Sequence, residues 1–148
     1  TWVRKLRTAD DLFCYLVVDT DRQPAEFLDD WRARCEPRGW NVSQQGRKIY
    51  TMPDAVTKSA AVTEVHRRLV EEGTLDEGSA ILAAGDGALD TDLLVMADVA
   101  IRPRHGELHD SDWEHPSVTV TGESGIRAGE EIITWFSRSA TITGPTST

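Results

Sequence analysis

Apolar residues fall in short blocks along the chain, and their spacing switches between that of strands and that of helices. A continuous apolar run over residues 12–18, from Leu12 to Val18, predicts a strand, ended by Asp19-Thr20-Asp21. Pro24 suits a first helical position, and Phe27, Leu28, Trp31 and Cys35 form a helical stripe stopped by Pro37-Arg38-Gly39. Residues 40–43 and 48–52 read as two strands of a hairpin around Gln44-Gln45-Gly46-Arg47. Thr57 can cap a helix with Ala61, Val62, Val65 and Leu69 on its apolar face, ending before Gly73.

The second half alternates strand and helix. Residues 79–84 form an apolar run typical of a strand buried on both faces. Leu89, Leu93, Met96 and Ala97 follow with helical spacing. Residues 99–101 and 118–120 are further strands, and residues 126–136 a closing helix with Ile132, Ile133 and Phe136 buried. This predicts an α/β protein in which a small α+β unit (residues 1–53) precedes a parallel, Rossmann-like layer (residues 54–138). A polar, flexible tail is expected from residue 139 to 148.

Composition narrows the function classes. At 148 residues the chain is long enough for a single core, and 39% hydrophobic residues with five Trp fit a globular protein. The Trp residues are widely spaced, which favours packing over a stacking platform, although Trp40 sits near the hairpin. A net charge of −9 argues against nucleic acid as a partner. No apolar run approaches the ~20 residues of a membrane helix. Cys14 and Cys35 lack metal-ligand or redox spacing and read as buried, reduced thiols, which points to the cytoplasm. The chain begins at Thr1 with no signal-peptide core after it, and it reads as a fragment or a processed product.

Chemistry concentrates after the strand at residues 79–84. Gly85 permits a sharp turn, Asp86 stands at the carboxyl end of the strand where open α/β sheets place ligands, and Asp90 follows one helical turn later. Two converging carboxylates suit a hard divalent cation such as Mg²⁺. The plainer alternative is a Gly-Asp turn before a helix whose first-turn acids favour its dipole. Lys58 opens the preceding helix, where the dipole slightly disfavours a cation. It either faces the acids, pairing with them or holding a phosphate oxygen, or is a solvated surface lysine.

Lys58 followed after one helix by Gly85-Asp86-x-x-x-Asp90 resembles the third and fourth motifs of haloacid-dehalogenase-like phosphatases. Val118-Thr119 and Gly125-Ile126-Arg127-Ala128 resemble the final strand and last helix there. The segment Arg47-Lys48-Ile49-Tyr50-x-x-Pro53 is similar to the join of cap and core in the subgroup with large α/β caps, which includes sucrose-phosphate phosphatases and Cof-type enzymes. The resemblance spans residues 12–136. It implies Mg²⁺-dependent hydrolysis of a small phosphorylated metabolite, plausibly a sugar phosphate, through an aspartyl-phosphate. Asp86 and Asp90 would hold the metal, Lys58 the nucleophile and phosphoryl group, and Arg47 and Lys48 on the cap hairpin would contact substrate, if they are not simply solvated.

The chain departs from the family at its first motif, a strand ending Asp-x-Asp-Gly-Thr. The one candidate is Asp19-Thr20-Asp21, with Asp19 as nucleophile, Asp21 as acid/base and residues 40–43 as second motif. There Gly-Thr is replaced by Arg22-Gln23, and only about twenty residues separate the two candidate motifs. Read as cap, the same residues fit without strain. The favoured expectation is therefore the second half of such a core preceded by part of its cap. The nucleophile would come from the missing N-terminal half of the core or from another chain, and this chain alone would be inactive. A degenerate binding module and a compact capless enzyme using Asp19 and Asp21 are the alternatives. His105 and His109 have the spacing of a helical transition-metal pair but no third ligand. Arg102 and Arg104 could contact an anionic substrate or pair with acids.

Overall fold

A computed structural model describes residues 1–142 and divides into two compact units, Thr1–Val56 and the chain from Thr57 on. The first unit is an antiparallel sheet of order β1-β2-β4-β3 with one helix. Its strands are β1 (Val3–Ala9), β2 (Phe13–Val18), β3 (Trp40–Gln45) and β4 (Lys48–Pro53), and α1 is Phe27–Cys35. Strand β2 and the β3–β4 hairpin lie where the apolar runs predict, with Tyr15 paired to Tyr50 and Ser43 to Tyr50. Gly46, at φ +53°, makes the hairpin turn.

Strand β1 is not anticipated by the apolar pattern. Its sequence VRKLRTA is charged because it is an edge strand with most side chains exposed, which is how sheet edges avoid pairing with other chains. It joins β2 through Asp10-Asp11, both at positive φ, a mirror-image turn of the kind that suits hairpin twist and that usually carries Asn or Gly. Helix α1 begins at Phe27 rather than at Pro24. Pro24 instead closes a preceding turn, its carbonyl accepting from Phe27 N–H at 3.2 Å. Gly39, left-handed at φ +74°, ends the 3-10 turn that follows.

Val18, Cys35, Val42 and Ile49 form this unit's core, with Trp2, Leu16, Phe27, Leu28, Trp31 and Trp40 packed against it. Trp2 meets Phe27 edge-on at 4.6 Å, and Trp31 Nε1 donates to Thr51 Oγ1 at 2.9 Å. Both cysteines are free; Cys35 is buried, and desolvation pushes its thiol pKa up, while Cys14 is half-buried.

The second unit carries the parallel sheet β5-β6-β7, with β5 Leu82–Ala84, β6 Val99–Arg102 and β7 Val118–Val120. Leu82 pairs with Val99 and Ala100 with Val118, both in parallel. Around it lie α2 (Lys58–Glu71), α3 (Thr91–Met96), the one-turn α4 (Glu107–Asp110) and α5 (Gly125–Ile142). Ala83, Leu94, Ala97, Ala100 and Leu108 form the core, with Ile81, Leu93, Trp113 and Val118 against it. The expected α/β class, a parallel layer following an α+β unit, is the architecture observed.

Three expectations about this unit need correction. Within α2, Ala61 and Val65 are exposed, Val65 by 56%, so the apolar stripe is not a buried one. In α5 the buried contact is Ala128, whereas Ile133 is 68% exposed; a small residue lets the helix approach the sheet closely. The helix also continues through Ile142, past the expected start of the tail at Ser139, and residues 143–148 lie outside the described residues. No helix among the described residues is long and apolar enough to cross a membrane.

Candidate functional site

Strand β5 ends at Ala84, and the chain turns through Gly85-Asp86-Gly87 into a 3-10 turn (Ala88–Asp90) that runs on into α3. Asp90 is buried and folds back over this loop: its Oδ2 accepts from Asp86 N–H and Gly87 N–H, both at 3.0 Å. Its Oδ1 accepts from Lys58 Nζ. Lys58 reaches it because Thr57 fixes the start of α2, its hydroxyl accepting from Ala60 N–H at 3.1 Å.

The loop is as tight as its glycines require. A Cβ at Gly85 would stand 2.4 Å from Asp90 Cβ. A Cβ at Gly106, where φ is +86°, would stand 2.9 Å from Asp86 Oδ2. Asp86 O accepts from Leu108 N–H at 2.9 Å, and Glu107 Oε2 accepts from Ala88 N–H at 2.8 Å, so α4 braces the loop. The Asp86 carboxylate has no hydrogen-bond or ion-pair partner among the described residues. It borders a cavity of about 310 Å³ that Gly85, Pro103, His105 and Gly125 also line.

Asp92 is a residue that sequence reasoning missed. Its Oδ2 accepts from Ser59 N–H at 2.9 Å, tying the first turn of α3 to the start of α2 and so to Lys58. Burial pushes its pKa up, but hydrogen bonds from Ser59, Leu93 and Thr57 outweigh this and hold it below the usual value. The Asp90-Thr91-Asp92 spacing, an acid at the N-cap of α3 and another in its first turn, is the sequence signal for it.

The donor set can be tested against a divalent cation. Mg²⁺ needs one or two carboxylates and keeps several waters, often with substrate phosphate completing its shell. Asp86 fits, because its carboxylate is exposed and unpaired. Asp90 fits less directly, because both its oxygens already accept hydrogen bonds within the protein. No group of three or more His, Cys, Asp or Glu residues placed to hold a metal occurs among the described residues.

The other candidates are placed as follows. Asp19 and Asp21 belong to the first unit, after the antiparallel strand β2 rather than at the carboxyl end of a parallel one. Asp19 accepts from Arg4 at 2.5 Å, and Arg4, Asp19, Asp21 and Arg47 share a cavity of about 300 Å³. Lys48 Nζ stands 5.5 Å from the Tyr15 ring centroid. His105 and His109 do not share a helical face: Gly106 breaks the backbone between them, and α4 begins only at Glu107. His105 Nδ1 instead accepts from Gly125 N–H at 3.1 Å. Arg104 is exposed, and its N–H donates to Thr121 Oγ1 at 2.9 Å. Arg102 is buried and lines a separate cavity.

No protein-family model and no curated protein matches this sequence. Its fold is similar to that of solved structures. One, Thermoplasma acidophilum 0175, aligns over 85% of this chain and 49% of its own at 22% identity and TM-score 0.57. A haloacid dehalogenase-like hydrolase from Bacteroides thetaiotaomicron aligns at 18% identity and TM-score 0.49, over 82% of this chain and 44% of its own. The haloacid dehalogenase-like hydrolase yhjK from Bacillus subtilis aligns at 15% identity and TM-score 0.43, over 82% and 43%. The chain thus spans about half the length of the structures it matches or somewhat less.

Proposed function

We propose that this chain carries the lysine and metal-acid half of a haloacid-dehalogenase-like, Mg²⁺-dependent phosphatase acting on a small phosphorylated metabolite such as a sugar phosphate. The observation that supports it best is the Lys58–Asp90 pair at the carboxyl end of β5, beside the unpaired Asp86 carboxylate. The lysine and two acids that the motif resemblance singles out are gathered within one unit, from α2 and from the loop after β5. Mg²⁺ bound there would neutralise charge on the transferring phosphoryl group.

The chain's own residues would act by position. Lys58, held by Asp90, presents an ammonium to phosphoryl oxygens without having to reorganise. Asp86 offers an oxygen ligand at the mouth of the cavity. Asp92 and Thr57 fix α2 so that the lysine stays in register. The nucleophilic Asp, attacking phosphorus to give an aspartyl-phosphate that water then hydrolyses, is assigned to sequence outside this chain. On this reading the first unit is cap, and Arg47 and Lys48 on its hairpin are the cations that would contact substrate. The Arg4–Asp19 ion pair disfavours Asp19 as nucleophile, because that carboxylate is already engaged.

Phosphate release from phosphorylated sugars and p-nitrophenyl phosphate, with Mg²⁺ and with EDTA, tests this. The expected result is silence from this chain. Turnover requiring Lys58 and Asp86 is expected once it is joined to a strand ending Asp-x-Asp-Gly-Thr. Turnover by this chain alone, abolished by Asp19→Asn, would overturn the assignment of the nucleophile. Turnover by the joined form that survives Lys58→Met and Asp86→Asn would overturn the site.

A further inference from the structure

Arg102, the last residue of β6, belongs to the buried set and has no ion-pair partner among the described residues. The residue is only 4% exposed, and among the described residues its side chain donates from Nη1 to the Pro103 carbonyl at 3.3 Å. No carboxylate forms an ion pair with it among the described residues. Among the described residues no fully buried side-chain nitrogen or oxygen lacks a partner, so the guanidinium N–H groups that Pro103 does not engage are open to solvent space rather than stranded in the core. The guanidinium borders a cavity of about 370 Å³, lined also by Glu114, His115, Pro116, Val118 and Val120. This cavity shares no lining residue with the one at Asp86.

We infer that this cavity is a binding site for a small organic monocarboxylate, separate from the proposed phosphatase site, with Arg102 as its anchor. Three features select that ligand. The planar guanidinium matches a carboxylate with two parallel N–H···O bonds. Glu114 on the lining repels a second negative charge, which disfavours a phosphate dianion. Pro116, Val118 and Val120 supply an apolar wall for a short hydrocarbon body. His115, also on the lining, is held with its Nδ1 2.8 Å from Ser117 Oγ and its ring stacked on Trp113, so that side of the cavity is already formed.

The test is a titration of the full 148-residue chain followed by ¹H–¹⁵N NMR, with butyrate, butyramide and inorganic phosphate as probes. Butyrate is expected to shift the Val118 and Val120 amides and the Arg102 Nε–H saturably. Butyramide and phosphate should do so at least about tenfold more weakly, the difference expected when a charge-assisted pair is absent. Arg102→Gln should remove the butyrate response, and Glu114→Gln should let phosphate in. Equal responses to butyrate and butyramide, or no saturable shift up to roughly 50 mM, would overturn the site. Phosphate binding more tightly than butyrate would overturn the ligand class. If Arg102→Gln does not fold, the comparison of butyrate with butyramide on the unaltered chain still decides.

Discussion

A buried carboxylate must collect enough donors to replace the water it has lost, and Asp90 does so with two backbone N–H groups and the Lys58 ammonium. Its partner is more than half exposed, so the two sides of the pair are unequal. Asp90→Asn turns an amide N–H toward donors and strands them; the expected cost is about 1–3 kcal/mol in urea unfolding. Lys58→Met should cost no more than about 1 kcal/mol, because an exposed partner is screened by solvent. In the joined, active form both changes should lower turnover by about 10²–10³-fold, so Lys58→Met separates catalytic from structural loss. Gly85→Ala tests the same contact from the other side. Its Cβ would overlap Asp90, and a destabilisation of about 1–3 kcal/mol is expected. The acids stood out by the four-residue spacing of Asp86 and Asp90, and Lys58 by its place at a helix start and by the motif resemblance. The direction of each carboxylate was not legible, since Asp90 turns inward to the loop and Asp86 outward only through backbone geometry at Gly85 and Gly106.

At the scale of the element, α2 is held at its start from two sides. Thr57 caps it internally, and Asp92 reaches across from α3. Thr57→Ala should cost about 1 kcal/mol, the usual loss of a cap. Asp92 adds a pH dependence whose sign follows from its lowered pKa. The folded state favours the ionised form, so its contribution is fully present above the ordinary carboxylate value of 3.8 and is lost as pH falls through the lower folded value. Thermal scans between neutral pH and pH 3 should therefore show an acid loss that Asp92→Asn flattens, with the variant less stable at neutral pH. The elements themselves were readable wherever a core side selected the apolar residues, as in β2, β5 and β6, and α2 was readable from its Thr57 cap. They were unreadable where no burial did so. Edge strand β1 carries Arg and Lys, and α4 is a single turn.

For the whole molecule, the two units are built differently. The first packs its antiparallel sheet around four buried residues and a belt of aromatic rings, with Leu6 and Leu12 exposed, while the second exposes more large apolar side chains, among them Ile126 and Ile133. Ile126 is 86% exposed and Ile133 68%, and seven residues apart they lie on one face of α5. Strand β5 is an edge strand of the parallel sheet, although its run of small and apolar residues has the composition of a central one. Exposed apolar surface and an open strand edge both favour association. The chain by itself should therefore self-associate as concentration rises through the micromolar range, as seen by sedimentation velocity. Ile126→Lys with Ile133→Lys should shift the equilibrium toward monomer by about tenfold or more, roughly 1.4 kcal/mol, without loss of helical signal. A chain that stays monomeric at high concentration, or a double variant that associates as before, would mean these residues are ordinary exposed side chains. Joining the chain to the missing half of the proposed core should suppress the association without any substitution, since a strand pairing with β5 removes the open edge. A joined form that still associates through Ile126 and Ile133 would place the contact on α5 and not on the strand.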